Sequence, residues 1–268
     1  MTIITLTTDF GVVDSYVAMM KGVILGIAPS TRLVDITHEI AAQNVRQAAY
    51  VVQSVIPYFP RGTIHIVVVD PGVGSTRRPI AIRIPAGVLV GPDNGVFSYP
   101  LAAEGQAGSN TVSAIQLDRH DYWLPEVSQT FHGRDIFAPV GAHLAAGVSF
   151  TDLGTPIGDL VRFPVSKPRR LLDGAIKGAI IYSDHFGNLI SNIPGDWLGD
   201  SQWTIHIAGK TLVGPDATYA AVGRAALLSL VGSGGLLEVA VRDGSAARHL
   251  DVGAGEPIEL RPRAMGRS

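Results

Sequence analysis

The chain has 268 residues, a formal net charge of −2, 46% hydrophobic and 16% charged residues, and no cysteine. This length and composition indicate one large or two ordinary globular domains with an ample apolar core. They exclude the basic footprint of a protein that binds nucleic acid or an anionic membrane, and they exclude thiol nucleophiles, disulfides and thiolate metal sites.

The first half of the sequence alternates short apolar runs with amphipathic segments. In chain order, the predicted elements are a strand over 3–7, a helix over 15–27, a strand over 32–36, a helix over 44–58 capped by Asn44, and a strand over 64–69. This alternation predicts an α/β domain with a mainly parallel sheet, in which ligands bind beyond the carboxyl ends of the strands. Asp9 and Asp70 follow two of those ends, so we expect both at a binding crevice.

The second half has a different pattern. A helix over 136–146 closes the N-terminal domain, which we place at residues 1–162, and a proline-rich basic segment over 163–174 is the predicted linker. The strands predicted beyond it lie over 175–182, 203–207, 226–230 and 236–241. Because glycine turns separate them and helices are scarce, we expect residues 175–268 to form a smaller all-β, barrel-like C-terminal domain.

The stretch VVVDPGVGSTRRPIAI places Asp70 at the end of a very apolar strand, with Arg77 and Arg78 just after it. Burying even a neutral polar group without a partner costs about 2–7 kcal/mol, so Asp70 must be paired or used. One interpretation is a hairpin turn closed by an Asp–Arg ion pair. The other is a reactive site, in which the pair orients a third group.

The stretch TTDFGVVDSY carries two acids around the junction of the first strand and the first helix. Asp9 either begins an Asx turn before Gly11 or binds hydroxyl groups of a ligand. Asp14 is either the N-cap of the helix or a partner for an ammonium group.

The stretch QTFHGRDIFAPVGAHLA places His132 just before a helix. His132 is either a turn residue bound to backbone or, together with an Asp and an Arg, part of a set that activates water. His143, inside the helix, is expected to be a packed or surface residue.

Two stretches of the C-terminal half complete the candidates. SDHFGNLISNI is either a tight turn or a site in which Asp184 and Asn188 flank Phe186, a flat surface for a heterocycle. VGSGGLLEVAVRDGSAARHL offers Ser233 and an Ala246-Ala247 turn whose amides can read the edge of a base.

Six stretches, in order from residue 3 to about residue 260, together resemble the S-adenosylmethionine hydroxide adenosyltransferases: TTDFGVVDSYVAMMKGVI, VVVDPGVGSTRRPIAI, GPDNGVF, TFHGRDIFAPVGAHLA, SDHFGNLISNI and GSGGLLEVAV. This family consists of S-adenosylmethionine hydrolases related to fluorinating and chlorinating enzymes. The resemblance implies hydrolysis of S-adenosyl-L-methionine to adenosine and L-methionine, without a metal or redox cofactor. It also implies an N-terminal α/β domain, a C-terminal β-barrel and a homotrimer. The ligand is then expected between the N-terminal domain of one subunit and the C-terminal domain of the next.

The resemblance also assigns roles to residues. It places a water-activating set on Asp70, Arg77 and His132; the halogenases lack this acid and this histidine, which favours water over halide as the nucleophile. It assigns binding of the ribose hydroxyls to Asp9, and binding of the methionine end to Asp14, Asp184 and Tyr16. Tyr16 stands where the halogenases carry a serine. The residues assigned to the adenosine are Phe131, Phe186, Asn188, Ser233 and Ala246.

Two other functions are compatible with the residues. A metal-dependent hydrolase would use Asp9, Asp14, Asp70 and His132 as an oxygen-rich site, although Arg77 beside Asp70 argues against a metal there. A nucleoside-binding protein without catalysis would use the same pocket residues. The segment MTIITL lacks the features of a signal peptide and no run approaches ~18 uninterrupted apolar residues, so we expect a cytoplasmic protein with no membrane or nucleic-acid partner.

Overall fold

The apolar strand that precedes Asp70 lies in the middle of a sheet and is buried on both faces. In the computed structural model, which describes residues 1–106 and 112–263, this strand spans Thr63–Val68 and all its residues are buried. Ile64 and Ile66 face one apolar core, whereas Val67 faces another. A strand covered on both faces has a nearly continuous apolar sequence rather than an alternating one, which explains the apolar run over 66–69.

Seven strands form the sheet of the first compact unit, residues 1–165. In chain order they are β1 (Ile3–Thr8), β2 (Arg32–Thr37), β3 (Thr63–Val68), β4 (Pro79–Ile84), β5 (Gly87–Pro92), β6 (Ser113–Gln116) and β7 (Thr155–Ile157). Across the sheet the order is β2-β1-β3-β5-β4-β6-β7. The first four strands in this spatial order, β2, β1, β3 and β5, are parallel to one another. Strands β4, β6 and β7 extend the sheet by antiparallel pairing. The predicted α/β fold is confirmed, and the structure adds an antiparallel extension at one side.

Helices cover both faces of this sheet. They are α1 (Tyr16–Ile27), α2 (Val45–Val55), α3 (Ser98–Gln106) and α4 (Ala138–Ala145). Helices α1 and α4 pack over the core that contains Ile64, and α2 and α3 pack over the opposite core. A π-helical turn, Gly133–Phe137, leads directly from His132 into α4.

The ends of α2 follow from its sequence. Asn44 caps the helix as predicted, because its side-chain oxygen accepts the N–H of Gln47 at 3.0 Å. The predicted helix continues past Val55 only as a 3₁₀ turn, Ile56–Tyr58. Pro57 lies in that turn and lacks the N–H that another α-helical hydrogen bond would need.

The second compact unit, residues 166–268, is built on antiparallel strands. They are β8 (Arg169–Arg170), β9 (Ile176–Ser183), β10 (Leu189–Pro194), β11 (Trp203–Ile207), β12 (Lys210–Gly214), β13 (Leu227–Val231), β14 (Leu236–Val241) and β15 (Pro257–Pro262). The sheet order is β12-β11-β15-β9-β10-β14-β13, with β8 beside β9. The N–H of Asp216, just after β12, donates to the Ser229 carbonyl in β13 at 2.7 Å and brings the two edges together. The predicted barrel-like fold of this half is therefore confirmed.

One predicted turn of this unit is a short helix instead. The segment that contains Ala246 and Ala247 forms α5 (Ala246–Leu250). Ser245 starts it, because the Ser245 hydroxyl accepts the N–H of Arg248 at 3.2 Å, a typical N-cap bond. Within the described ranges 1–106 and 112–263, none of the helices has the length and apolar character needed to cross a membrane.

A buried histidine in β3 should make the fold sensitive to acid. His65 is 2% exposed and bound to the Thr5 hydroxyl at 2.8 Å, and burial lowers the pKa of His65 from 6.5 to about 4. The unfolded chain therefore binds a proton that the folded chain does not, and stability falls as the pH drops from 6.5 towards 4. At about 1.4 kcal/mol per pH unit, the decrease in the free energy of unfolding approaches about 3 kcal/mol. Urea unfolding at pH 7 and pH 4.5 should show a smaller loss in His65→Gln than in the unmodified chain; equal losses would contradict this assignment.

Candidate active site

The loop between β3 and β4 carries Asp70 and Arg77. Because β5 lies between β3 and β4 in the sheet, the loop crosses an intervening strand, and its interpretation as a hairpin turn is wrong. Gly74 in this loop has a φ of 76°, and a Cβ there would lie 2.4 Å from the Gln129 carbonyl oxygen. Glycine therefore lets the loop pack directly against the segment that precedes His132.

Asp70 and Arg77 form a buried ion pair, and the arginine also contacts His132. Arg77 Nε donates to the two carboxylate oxygens at 2.9 and 2.8 Å, and Nη2 donates to Oδ2. The same Nη2 lies 2.7 Å from His132 Nδ1. The Asp70 and Arg77 side chains are only 5% and 8% exposed. Of the two arginines in the sequence pattern, Arg77 is thus the partner of Asp70, and Arg78 binds Asp93 instead.

These contacts hold His132 in one neutral form. Burial and the Arg77 charge lower the pKa of His132 below 6.5, although the charges of Asp70 and Asp135 act in the opposite direction. Because a guanidinium only donates, Nδ1 of His132 accepts from Arg77, and the neutral ring carries its proton on Nε2. The Ser128 backbone also acts to raise the pKa of His132. Because Nδ1 accepts from Arg77 and Nε2 carries the proton, neither ring nitrogen is free to take a proton from water, and Asp70 is the acceptor of this set.

A cavity of about 400 Å³ lies at the carboxyl ends of the parallel strands, and we name it the N-terminal cavity. Its lining includes five of the residues selected from the sequence: Asp9, Tyr16, Asp70, Phe131 and His132. The Tyr16 ring meets the Phe131 ring edge-on, with centroids 5.2 Å apart, and Phe10 lies 5.7 Å from both rings. The cavity therefore joins an aromatic wall to the buried ion pair.

Asp9 is held across the N-terminal cavity by a strained residue. The Asp9 carboxylate accepts the N–H of Gln43 at 2.8 Å. Gln43 also lines the cavity, and its φ of 65° lies in the left-handed region that non-glycine residues seldom adopt. Such strain concentrates at functional sites. Nothing in the sequence marks Gln43, because its contact depends on how the loop after β2 folds back.

A second cavity, of about 710 Å³, lies in the second unit, and we name it the C-terminal cavity. It is lined by four of the selected residues: Asp184, Phe186, Asn188 and Ser233. Asp184 closes the turn as the simpler interpretation predicted, because its two oxygens accept the backbone N–H and the side-chain amide of Asn188 at 2.8 and 2.9 Å. Phe186 leaves this turn with 72% of its surface exposed, so its ring face is open to a flat ligand.

Comparison with known proteins identifies the family. The model of the SAM hydroxide adenosyltransferase N-terminal domain matches residues 4–154, and that of the C-terminal domain matches residues 178–259. The chain belongs to the SAM hydroxide adenosyltransferase family. It is 39% identical over 259 residues to a protein of Salinispora tropica named (R)-S-adenosyl-L-methionine hydrolase, with 96% of this chain and 97% of the relative covered.

Two more distant likenesses agree with this SAM hydroxide adenosyltransferase assignment. A fluorinase of Actinoplanes is 30% identical over 218 residues, which cover 71% of each chain. The crystal structure of an uncharacterized conserved protein from Thermotoga maritima has a TM-score of 0.87 and 32% identity, covering 97% of this chain and 100% of that one.

Two of the predicted substrate-binding residues do not line either cavity. Asp14 is exposed and does not line the N-terminal cavity; it is also not the N-cap of α1, a position that belongs to Ser15. Ala246 is buried at the start of α5 and does not line the C-terminal cavity. The N–H of Ala247 donates to the Gly187 carbonyl at 2.9 Å, so it is not free to read a base.

Sequence reasoning missed an acidic residue in the C-terminal cavity. Glu238 accepts the Tyr219 hydroxyl at 3.1 Å, and both residues line that cavity. Burial raises the pKa of Glu238, and burial and Glu238 raise the pKa of Tyr219 to about 12. The available signal was the alternation in β14, where Glu238 stands between two residues of the core, Leu237 and Val239.

The ion pair also decides against the metal-site alternative. The Arg77 guanidinium lies against both oxygens of Asp70 and against Nδ1 of His132, so its positive charge opposes a metal ion at these atoms. In the part of the chain that the structure describes, no group of three or more histidine or acidic side chains is arranged to hold a metal ion.

Proposed function

We propose that this protein hydrolyses S-adenosyl-L-methionine to adenosine and L-methionine by attack of water on C5′. The observation that carries the proposal is the buried Asp70–Arg77 pair, joined to His132 at the wall of a cavity that also contains Asp9. The 39% identity to a full-length relative with this activity in its name supports the same reaction.

The reaction requires mainly a water molecule that is oriented towards C5′. The oxygen of water forms a bond to C5′ while the C5′–S bond breaks, and sulfur takes the electron pair. The sulfonium thereby becomes a neutral thioether, and methionine leaves without a general acid. The proton of water passes to the Asp70 carboxylate and then to solvent. A positioned base typically contributes about 10²–10⁴-fold.

The three residues have separate roles in this mechanism. Asp70 accepts the hydrogen bond from water, and its negative charge repels a halide, which favours water as the nucleophile. Arg77 keeps the carboxylate ionised and fixes the direction of its lone pairs. His132 holds Arg77 through Nδ1 and is a positioning residue rather than the proton acceptor.

The remaining assignments concern substrate binding. We assign the ribose hydroxyls to Asp9, the adenine face to Phe186 and Phe131, and its polar edge to Asn188 and Ser233. Asp184 and Tyr16 take the methionine end. Asp14 and Ala246 remain part of the proposal only through the family resemblance, because neither lines the N-terminal or the C-terminal cavity.

The proposal is tested by turnover in ¹⁸O-water. We expect equal amounts of methionine and adenosine, with label in the adenosine 5′-hydroxyl, and the same rate in the presence of a chelator. The two sulfonium epimers are tested separately, and we expect preference for the (R) form named for the relative. Unlabelled adenosine would reject attack by water, and binding without products would leave a nucleoside-binding protein.

We propose further that the active form is a homotrimer in the cytoplasm, with each site completed by two subunits. The assigned residues fall into two sets, one in each compact unit. Apolar side chains beside both sets are strongly exposed, including Val12 at 72%, Val13 at 95% and Phe186 at 72%. Burial of such side chains is the usual driving force of subunit association.

Mixing two variants with strongly reduced activity tests this assembly. His132→Ala and Asp184→Ala damage different units, so a trimer that contains both chains regains intact sites only if each site draws on two subunits. After subunit exchange in an equal mixture, we expect about a quarter of the sites to be intact. Activity that stays at the level of the separate variants, in trimers verified to be mixed by native mass spectrometry, would show that each site lies within one chain.

A further inference from the structure

A buried acid next to the catalytic set has no role in the mechanism above. The side chain of Asp135 is fully buried. Its Oδ2 accepts both the backbone N–H and the hydroxyl of Ser128 at 2.8 Å, and its Oδ1 accepts Nε of Arg134 at 2.6 Å. Burial opposes its ionisation, but the bonds from Arg134 and Ser128 hold the pKa of Asp135 below its usual value, so the group carries a charge.

Ser128 connects this carboxylate to the residues that line the N-terminal cavity. The Ser128 hydroxyl accepts the N–H of Phe131 at 3.0 Å, and Phe131 directly precedes His132 in the chain. The Phe131 carbonyl accepts in turn the N–H of Asp135 at 3.1 Å. The carboxylate thus closes the loop over 128–135 on itself, with Phe131 and His132 inside the closed segment.

A second contact leads from Asp135 to the aromatic wall. The guanidinium carbon of Arg134 lies 5.1 Å from the centre of the Phe131 ring, within range of a cation–π contact. Asp135 holds this guanidinium at Nε, so the same carboxylate fixes the group that covers Phe131.

We propose that Asp135 is a positioning residue of the hydrolytic site, which holds Phe131 and the adjoining His132 through Ser128 and also fixes Phe131 through Arg134. The inference rests on the proposed function, because it assigns Asp135 to the same reaction. It predicts an effect on chemistry: a displaced His132 lets Arg77 and Asp70 turn, and a misplacement of about 1 Å at a reacting group is enough for about 10²-fold in rate.

The test compares Asp135→Asn in two backgrounds. In the otherwise unmodified chain, we expect kcat to fall by about 10–100-fold. In the His132→Ala background, we expect kcat to fall further by less than about 3-fold, because the effect of Asp135 on kcat passes through His132, whereas its effect through Phe131 acts on substrate binding. Asp121→Asn, an exposed acid outside the closed segment, serves as the matched control and should change neither rate. An equal fold-loss in both backgrounds would reduce Asp135 to a structural residue and overturn the inference.

If Asp135→Asn does not fold, Ser128→Ala replaces it. This variant removes the hydroxyl that links the Asp135 carboxylate to the Phe131 N–H and leaves both charges and Arg134 in place. Its kcat is likewise compared in the otherwise unmodified chain and in the His132→Ala background. The inference again requires a clearly smaller fold-loss in the His132→Ala background.

A spectroscopic measurement separates this inference from the function itself. Ring ¹⁵N chemical shifts of His132, measured without substrate, should show a proton on Nε2 in the unmodified chain and a changed ring environment in Asp135→Asn. If the unmodified chain does not hydrolyse S-adenosyl-L-methionine but these shifts move, the proposed function fails and the positioning role stands. Unchanged shifts in a folded variant would refute the positioning role, whatever the activity.

Discussion

Replacement of Asp70 by asparagine should slow hydrolysis of S-adenosyl-L-methionine by about 10²–10⁴-fold while leaving substrate binding nearly unchanged. The amide is close in shape to the carboxylate, so the loop between β3 and β4 keeps its course. It lacks the charge that accepts the proton of water and that pairs with Arg77. A loss confined to kcat is the sign of an interaction that matters mainly in the transition state.

Single-turnover kinetics and calorimetric binding of the substrate measure the two quantities separately. Asp121→Asn again provides the exposed control, with the same chemical change outside the site. If folded Asp70→Asn turned over at a normal rate and were only less stable, Asp70 would be a structural ion-pair residue, as one interpretation of the sequence allowed.

The second large effect concerns stability, and we expect it in Arg77→Ala. Removing the guanidinium leaves the Asp70 carboxylate, which is 5% exposed, without its partner. Breaking a buried pair in this way typically costs about 3–5 kcal/mol, against about 0–1 kcal/mol for an exposed pair. Urea unfolding measures the difference. Lys21→Ala is the control, because Lys21 pairs with Asp35 and the two side chains are 32% and 41% exposed.

A double variant distinguishes the lost partner from a general packing defect. Asp70→Asn added to Arg77→Ala removes the unpaired charge, so the double variant should recover part of the stability without recovering activity. Losses of stability that simply add would mean that Arg77 contributes through its stem and its contact with Phe137 rather than through the charge pair.

The predictable parts of the fold are those that depend on local sequence patterns. Alternation of apolar runs and amphipathic segments predicted the parallel sheet, and the apolar run before Asp70 predicted a buried strand. The order of strands is not local. Nothing near residue 70 indicates that β5 lies between β3 and β4. The hairpin interpretation failed for that reason, and the antiparallel extension was missed for the same reason.

The site divides in the same way. A charge at the end of a buried strand demands a partner on physical grounds, so pairing of Asp70 with a nearby arginine was predictable. Gln43 enters the N-terminal cavity only because a distant loop returns to Asp9. The alternation in β14 singles out Glu238 as a residue between two core positions but does not reveal its bond to Tyr219. Asp14 and Ala246 show the reverse limit: a motif match gives a residue's position in the chain but not the direction of its side chain, so it did not predict that both lie outside the two cavities.

The π-helical turn before α4 makes the enzyme unusually sensitive to the loss of a single codon. In this turn the N–H of Ala138 reaches back five residues to the Gly133 carbonyl, instead of the four of an α-helix. The turn is thus an α-helix with one inserted residue. Deleting one residue of 133–137 would let α4 extend regularly and would rotate His132 by about 100° relative to the sheet. Helix α4 would remain folded, but His132 would no longer be aligned with Arg77. We therefore expect homologues that keep the activity to lack insertions and deletions in this turn, even where they carry point substitutions.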